Sequence, residues 1–388
     1  MVMQESGASS ALPLANIVVV ELGHSVAAPY AGQILGDLGA TVIKIEKTDG
    51  GDDARAWGPP FLQDISTCYL SLNRNKHSVA VDLKDERQLK QLREFIVSKA
   101  DVVLQNLRPG SVERLGLAAA QLRARNERLI YCNLGAFGRA GPLADRPGYD
   151  PLMQAYGGIM SVTGEEGRPP VRVGVSIVDM ATGMWAVIGI QSALYKRAAS
   201  GEGCEVDVSL FESSLAWMTV HVANYSASGE MPARLGSGAV ITAPYQAFQA
   251  RDGFIVIAAG NGALFAKLAQ ALQHPEWAGD ARFRTNEDRL KNKPALVALI
   301  EQVLVREPVD HWIRLLEAAA VPCAPIQNVD QVIASAQTNA LGILQTALDE
   351  RLRLVGLPLS FDGVRPPLRM PPPKLGEHNE LLFGPKKK

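Results

Sequence analysis

Two short β-branched runs with one small-residue helix between them constrain this chain more than any other feature. Ile17-Val-Val-Val-Glu21 reads as a buried strand, Ala27-Ala-Pro29-Tyr-Ala-Gly32-Gln-Ile-Leu-Gly36-Asp-Leu-Gly39 as a helix, and Thr41-Val-Ile-Lys-Ile-Glu46 as a second strand. Small residues let that helix lie close to a sheet, and Gly39 ends it, because glycine takes the left-handed conformation at a helix C-terminus without penalty. Strand, helix and strand within about 30 residues make a βαβ unit, so the class is α/β with a Rossmann-like sheet. A dinucleotide fingerprint would need Gly-x-Gly-x-x-Gly in the first turn. That turn reads Gly23-His24-Ser25-Val26-Ala27-Ala28 and lacks it.

The alternation continues. Val79–Asp82 reads as strand, Glu86–Ala100 as a charged helix, and Asp101–Gln105 and Leu129–Leu134 as further strands. Between the second and third strands, Gly50–Arg74 is rich in Gly, Pro, Asp and Trp and is expected to be a long surface loop. The run Val171-Arg-Val-Gly-Val-Ser-Ile-Val-Asp179 is expected to be a strand that ends in one acid, with a small-residue helix to about Ala199 after it. Asp179 would then sit where ligands usually bind in open α/β sheets. The competing reading is that Asp179 is an N-cap, accepting an amide hydrogen bond from the first helical turn.

After His221 the texture changes. Pro244–Phe248 and Phe254–Ala258 form a hairpin signal across a turn at Asp252-Gly253, and helical patterns follow at Lys293–Val305 and Asp310–Ala320. The expected organisation is a large domain from residues 1–224 and 326–388, built from both chain ends, with a smaller domain over 225–325.

Composition narrows the function classes. Charged residues are 20% and the net charge is −1, with no run of Lys or Arg before Lys386–Lys388, so nucleic acid has no electrostatic footprint to bind. Cys68, Cys132, Cys204 and Cys323 are scattered, without metal-ligand spacing, so no metal site and no disulfide framework is expected. Met1–Ser10 lacks the basic and apolar regions of a secretory signal, and no apolar stretch is expected to reach the ~18 residues of a membrane span. A cytoplasmic protein without membrane partners is the expectation.

Several polar elements fall at expected strand ends. His24 follows the first strand and is either a general base or a packed, hydrogen-bonded residue. Lys76, Arg108 and Arg114 are either cations for a phosphorylated ligand or solvated surface charges. Gly260-Asn261-Gly262 either presents amides to an oxyanion or is an ordinary turn. No Gly-x-Ser-x-Gly nucleophile elbow is present.

Ordered motifs along nearly the whole chain resemble the family III CoA-transferases, the formyl-CoA and carnitine CoA-transferase type. They are Gly36-Asp-Leu-Gly39 through Glu46, Asn73-Arg-Asn-Lys76, Asn106-Leu-Arg-Pro-Gly110 with Arg114, Pro147-Gly-Tyr149-Asp150, Val178-Asp179-Met-Ala-Thr-Gly183, Asp207–Glu212 and Leu375-Gly-Glu-His378. The stretches Gly51–Pro60 and Pro244–Phe248 are most similar to the succinyl-CoA:dicarboxylate branch, glutarate enzymes included.

The resemblance implies an interlocked homodimer and a nucleophilic carboxylate at Asp179. It implies CoA contacts at His24, Val26 and Ala27, at Leu72, Asn73 and Lys76, and at Asn106, Leu107, Arg108 and Arg114. Tyr149 with Gly260, Asn261 and Gly262 would face the substrate. The implied reaction moves CoA from succinyl-CoA to a small diacid such as glutarate, itaconate or citramalate, with CoA as substrate and no other cofactor. Charge alone, and not the resemblance, singles out Arg172, Arg234 or Arg55 to pair with the distal carboxylate of such a substrate.

Some family members are racemases with His in place of Tyr149, so Tyr149 favours transfer. A racemase would need a second base, for which Asp150 is the only neighbour in sequence. A non-catalytic CoA-binding homologue would tolerate loss of Asp179. Val26 stands where formyl-CoA transferase has Gln, which weighs against formyl or oxalyl groups. Ala239 stands where related dicarboxylate enzymes often carry His.

Overall fold

The structure is a computed structural model that describes residues 12–348 and 351–384. The Met1–Ser10 start and the Lys386–Lys388 tail considered above lie outside the described residues.

Six parallel strands form the central sheet in the order Lys76–Ala80, Thr41–Glu46, Val18–Leu22, Val102–Gln105, Ile130–Gly135 and Glu205–Ser209. Chain order runs outward in both directions from Val18–Leu22. The chain therefore leaves that strand and its neighbour Val102–Gln105 in opposite directions, which opens a crevice beyond their carboxyl ends. One face of the sheet buries Val20, Ile43, Val79 and Val103 against Leu89, Leu92 and Ile96 of the Glu86–Lys99 helix. Each of those side chains contributes about 1.5–3 kcal/mol by leaving water.

The unit that carries this sheet comprises the described residues up to Ile159, Arg172–Glu230 and those from Gln337 onward. A second unit comprises Met160–Val171 and Met231–Ala336, and so takes in residues outside the 225–325 stretch expected from the sequence. Its antiparallel sheet has the order Cys323–Pro325, Phe254–Ala258, Tyr245–Gln249. Phe248, Ile255, Phe265, Phe283, Ile300 and Trp312 form its core. The buried Trp312 indole donates to Leu304 O at 2.7 Å, so its one polar atom is satisfied.

Three expectations are corrected. Residues 171–176 are not a strand. Pro169-Pro170 precedes the run and Gly174 interrupts it, and its backbone pairs with a side chain instead of a neighbouring strand. Val173 N donates to Gln154 Oε1 at 2.8 Å, and Gln154 Nε2 reaches back to Val173 O at 3.5 Å. The expected loop over residues 50–74 is largely ordered structure, with a 3-10 turn at Asp53–Ala56, a small hairpin of Phe61–Leu62 with Ile65–Ser66, and a helix at Thr67–Leu72.

The third concerns Ile177–Ser200, a helix of 24 residues that is long and apolar enough, by length and composition, to cross a bilayer. Its buried side packs on the Ala27–Asp37 and Leu210–Trp217 helices and on the strands Ile130–Gly135 and Glu205–Ser209. That packing accounts for much of the apolarity within a folded core. The helix ends at Gly201, whose φ of +80° suits a glycine.

Candidate active site

Asp179 lies in the first turn of the Ile177–Ser200 helix, but it does not cap it. Ser176 occupies the N-cap position without a side-chain hydrogen bond. The orphan amides are taken by Asp150, which starts the Asp150–Tyr156 helix and is almost fully buried. Asp150 Oδ2 accepts from Val178 N at 2.8 Å and from Asp179 N at 3.2 Å, while Oδ1 accepts from Gln154 Nε2 at 2.5 Å. With Oδ2 engaged on the helix amides and Oδ1 on Gln154, Asp150 is poorly suited to the second-base role a racemase would need.

The Asp179 carboxylate accepts no hydrogen bond among the described residues. Burial, and then the nearby charge of Asp150, push its pKa up to about 7. A half-buried carboxylate that the fold leaves unsatisfied is costly. Such perturbed acids concentrate at functional sites. Pro151, just inside the start of the preceding helix, was the sequence signal for Asp150 as a helix-start residue.

The crevice at the sheet's switch point holds the His24 turn. Asn106 clamps it from the neighbouring strand end: His24 N donates to Asn106 Oδ1 at 3.0 Å and Asn106 Nδ2 donates to His24 O at 2.9 Å. Ser25, at φ +72°, donates its amide to Asp52 Oδ1 at 3.1 Å. Burial lowers the His24 pKa, the Asp52 charge opposing it, so the ring is neutral at pH 7. His24 and Leu107 line a cavity of about 150 Å³ together with Ile45, Lys47 and Asp53. That is room for a fragment of a ligand rather than a whole cofactor, since complete small-molecule sites run to roughly 300–1,000 Å³.

Gly183 ties this crevice to Asp179. A Cβ on Gly183 would come to 2.8 Å from Ala27 O and 3.1 Å from the Tyr30 ring. Glycine therefore lets the second turn of the Asp179 helix rest on the amino end of the Ala27–Asp37 helix. Val26 is the N-cap residue of that helix, and Ala27 is buried at its start.

Lys76 and Asn73 are fully buried, which corrects the reading of Lys76 as a solvated cation and leaves its ammonium no open side for a phosphate. Lys76 is fully buried, 2.9 Å from Glu21 Oε2, and donates to Pro29 O at 2.7 Å and to Asn73 Oδ1 at 2.9 Å. Its burial, opposed by Glu21, pushes its pKa down to about 8. Lys44, equally buried, bridges Glu21 Oε1 at 2.8 Å and Asp52 Oδ2 at 2.9 Å and donates to Gly23 O at 2.7 Å. Burial alone would raise Asp52, but the Lys44 ammonium holds it below the usual carboxylate range. These ions form a foundation under the His24 turn. Their sequence signal was a lysine inside an otherwise apolar strand, Val42-Ile-Lys44-Ile.

Of the remaining expected residues, Arg108 and Arg114 are exposed, with Arg114 Nη2 donating to Ser111 Oγ at 3.2 Å. Leu72 is half-buried and Tyr149 is exposed. Gly260-Asn261-Gly262 belongs to the second unit, where Asn261 caps the Gly262–Ala271 helix by accepting from Leu264 N at 2.8 Å. Arg55 is committed to Glu46, Tyr69 and Pro373 O, and Arg234 to the carbonyls of Glu165 and Arg168. Arg172 is exposed on the segment that leads to Asp179.

The family model for CoA-transferase family III matches residues 14–379. The chain belongs to that family. Succinyl-CoA:glutarate CoA-transferase of Mus musculus is 35% identical over 382 residues, 98% of this chain and 87% of the mouse protein. Acetyl-CoA:oxalate CoA-transferase of Acetobacter aceti is 39% identical over 372 residues, 95% of each. A CAIB/BAIF family protein from Brucella suis has a crystal structure that superposes with a TM-score of 0.88 at 38% identity, covering 96% of this chain and 98% of that one. This chain is an acyl-CoA:carboxylate CoA-transferase.

Proposed function

We propose that Asp179 is the nucleophile of a CoA transfer from succinyl-CoA to a small dicarboxylic acid. The observation that carries this reading is a half-buried carboxylate at a helix start whose capping work is done by another residue, with a pKa pushed up to about 7. In its ionised form Asp179 attacks the acyl-CoA carbonyl, giving a mixed aspartyl anhydride and CoA thiolate. The thiolate attacks the aspartyl carbonyl, so the donor acid leaves with the bridging oxygen and an aspartyl-CoA thioester remains. The acceptor carboxylate reverses both steps. Dividing the exchange this way retains the thioester's energy through each intermediate, and no metal or redox group takes part. Low solvent access at Asp179 protects the anhydride from water.

The CoA portion is assigned to the switch-point crevice, with His24, Val26, Ala27, Asn106 and Leu107 as contacts and Arg108 and Arg114 as exposed cations for its phosphates. Lys76 and Asn73 act beneath that surface. Glutarate is the first acceptor to test, because relatives named for it match nearly the whole chain. Citramalate and oxalate belong in the panel, since other relatives are named for them. Exchange with succinyl-CoA across that panel, lost in Asp179→Ala, is the expected result. Transfer that persists in the variant would refute the assignment.

A homodimer is proposed as well, with the interlocking that the family resemblance implies. Its support is an exposed apolar face on consecutive helices, including Trp185, Ile188, Trp217 and Val220. Light scattering that gives a monomer mass would refute it.

A further inference from the structure

Three consecutive residues of the His24 turn are each held from a different part of the unit that carries the six-stranded sheet. Gly23 O accepts from the Lys44 ammonium at 2.7 Å, and the Asn106 side chain engages both the N–H and the carbonyl of His24. Ser25 N donates to Asp52 Oδ1 at 3.1 Å. Ser25 needs its hold most. At φ +72° it lies in the left-handed region, which is unfavourable for any residue with a Cβ. Such strain persists only where the surroundings impose it.

Asp52 is built to impose it. Its side chain is only 1% exposed. Oδ1 also accepts from Ala54 N at 3.0 Å, and Oδ2 lies 2.9 Å from the Lys44 ammonium. The Asp52 amide donates to Glu46 Oε2 at 2.9 Å, and Arg55 and Ser78 fix the Glu46 carboxylate in turn. So anchored, the Asp52 carboxylate cannot follow Ser25 if that residue relaxes. The effect reaches the crevice, because Ser25 Oγ lies 2.9 Å from His24 Nδ1 and the backbone at Ser25 therefore helps to set the His24 ring. Val26, the next residue, is the N-cap of the Ala27–Asp37 helix.

We propose that Asp52 is a positioning residue for CoA binding: it holds Ser25 left-handed and so keeps the His24 turn in the shape that receives CoA. Asp52 need touch no ligand to do this, since both its oxygens are engaged within the chain. The inference rests on the assignment of CoA to this crevice, while the pin itself stands on Ser25 and Asp52. A turn that adopts its binding shape only part of the time weakens CoA affinity by that fraction. Bound CoA restores the shape, so turnover at saturation is spared.

The test uses the full chain, with Asp52→Ala, Asp52→Asn, Ser25→Gly and the double variant of Ser25→Gly with Asp52→Ala. Amide hydrogen exchange read by mass spectrometry follows the turn; calorimetry with CoA and transfer kinetics with succinyl-CoA follow its effect. In Asp52→Ala the segment containing Ser25 should lose protection while the sheet strands keep theirs. CoA affinity should fall about tenfold or more, the value of a lost charged hydrogen bond, and KM for succinyl-CoA should rise while kcat holds. Asp52→Asn keeps an acceptor for Ser25 N and should lose less. Glycine adopts the left-handed conformation freely, so in the Ser25→Gly background the loss of Asp52 should cost about threefold or less. The double-mutant cycle subtracts what the Ser25 hydroxyl itself contributes. An equal loss of CoA affinity in both backgrounds overturns the proposal and leaves the crevice as the CoA site. Unchanged protection of the Ser25 segment in Asp52→Ala also overturns it. A loosened turn with unchanged CoA affinity overturns the crevice assignment, and the positioning role with it.

Discussion

Replacing Asp179 by Asn should stabilise the protein, and more so at high pH. The folded carboxyl has a pKa of about 7, against about 3.9 in an unfolded chain. Between those values the folded state holds a proton that the unfolded state has lost. Stability therefore falls as pH rises through that window and levels off above about 7. At about 1.36 kcal/mol per pKa unit the full cost approaches ~4 kcal/mol, which residual solvent access trims. Asn removes this cost and also forfeits a favourable charge at a helix N-terminus, worth only about 0.3–1 kcal/mol. The ionisation cost wins.

The contrast between pH 5 and pH 8.5 isolates the titrating part of the effect, about 2 kcal/mol. For a unit of this size that is roughly 4–8 °C of additional gain in Tm at the higher pH. Circular dichroism melts of wild type and Asp179→Asn at both pH values would read it. An equal gain at the two pH values would refute the reasoning, because it would mean that Asp179 ionises freely in the folded state.

Two other perturbations probe the same site. Asp150→Asn removes the second cause of the raised Asp179 pKa; the rising limb of kcat/KM against pH, expected near pH 7 in the wild type, should move to lower pH, while weaker capping costs about 1 kcal/mol in a urea melt. Gly183→Ala drives a methyl group to 2.8 Å from Ala27 O and should cost about 1–3 kcal/mol of stability, and CoA affinity should fall with it in a direct binding titration.

The sheet was legible because its strands are apolar β-branched runs between helical patterns. Four of its strands match runs read at Ile17–Glu21, Thr41–Glu46, Asp101–Gln105 and Leu129–Leu134 to within a residue or two at either end. The run before Asp179 failed as a strand for a reason that local pattern cannot carry. Its hydrogen-bonding partner is the side chain of Gln154, and its β-branched residues lead into a helix instead of a sheet. Asp179 itself stood out through motif resemblance, but its isolation did not. That depends on Asp150, 29 residues earlier, taking the amides an N-cap would take. Lys76 misled because a cation in a polar loop motif reads as solvated, whereas its ammonium is enclosed by Glu21, Asn73 and Pro29. Burial of charge is a tertiary property, and only the alternation around Lys44 hinted at it.

The most direct test is to trap the covalent intermediate. The protein is mixed with succinyl-CoA without an acceptor, quenched with hydroxylamine, digested and analysed by mass spectrometry. An aspartyl-CoA thioester would yield CoA thiol and a hydroxamate on the peptide that contains Asp179, and Asp179→Asn would give none. A hydroxamate on another residue, or its absence from a preparation that exchanges CoA at full rate, would contradict the account.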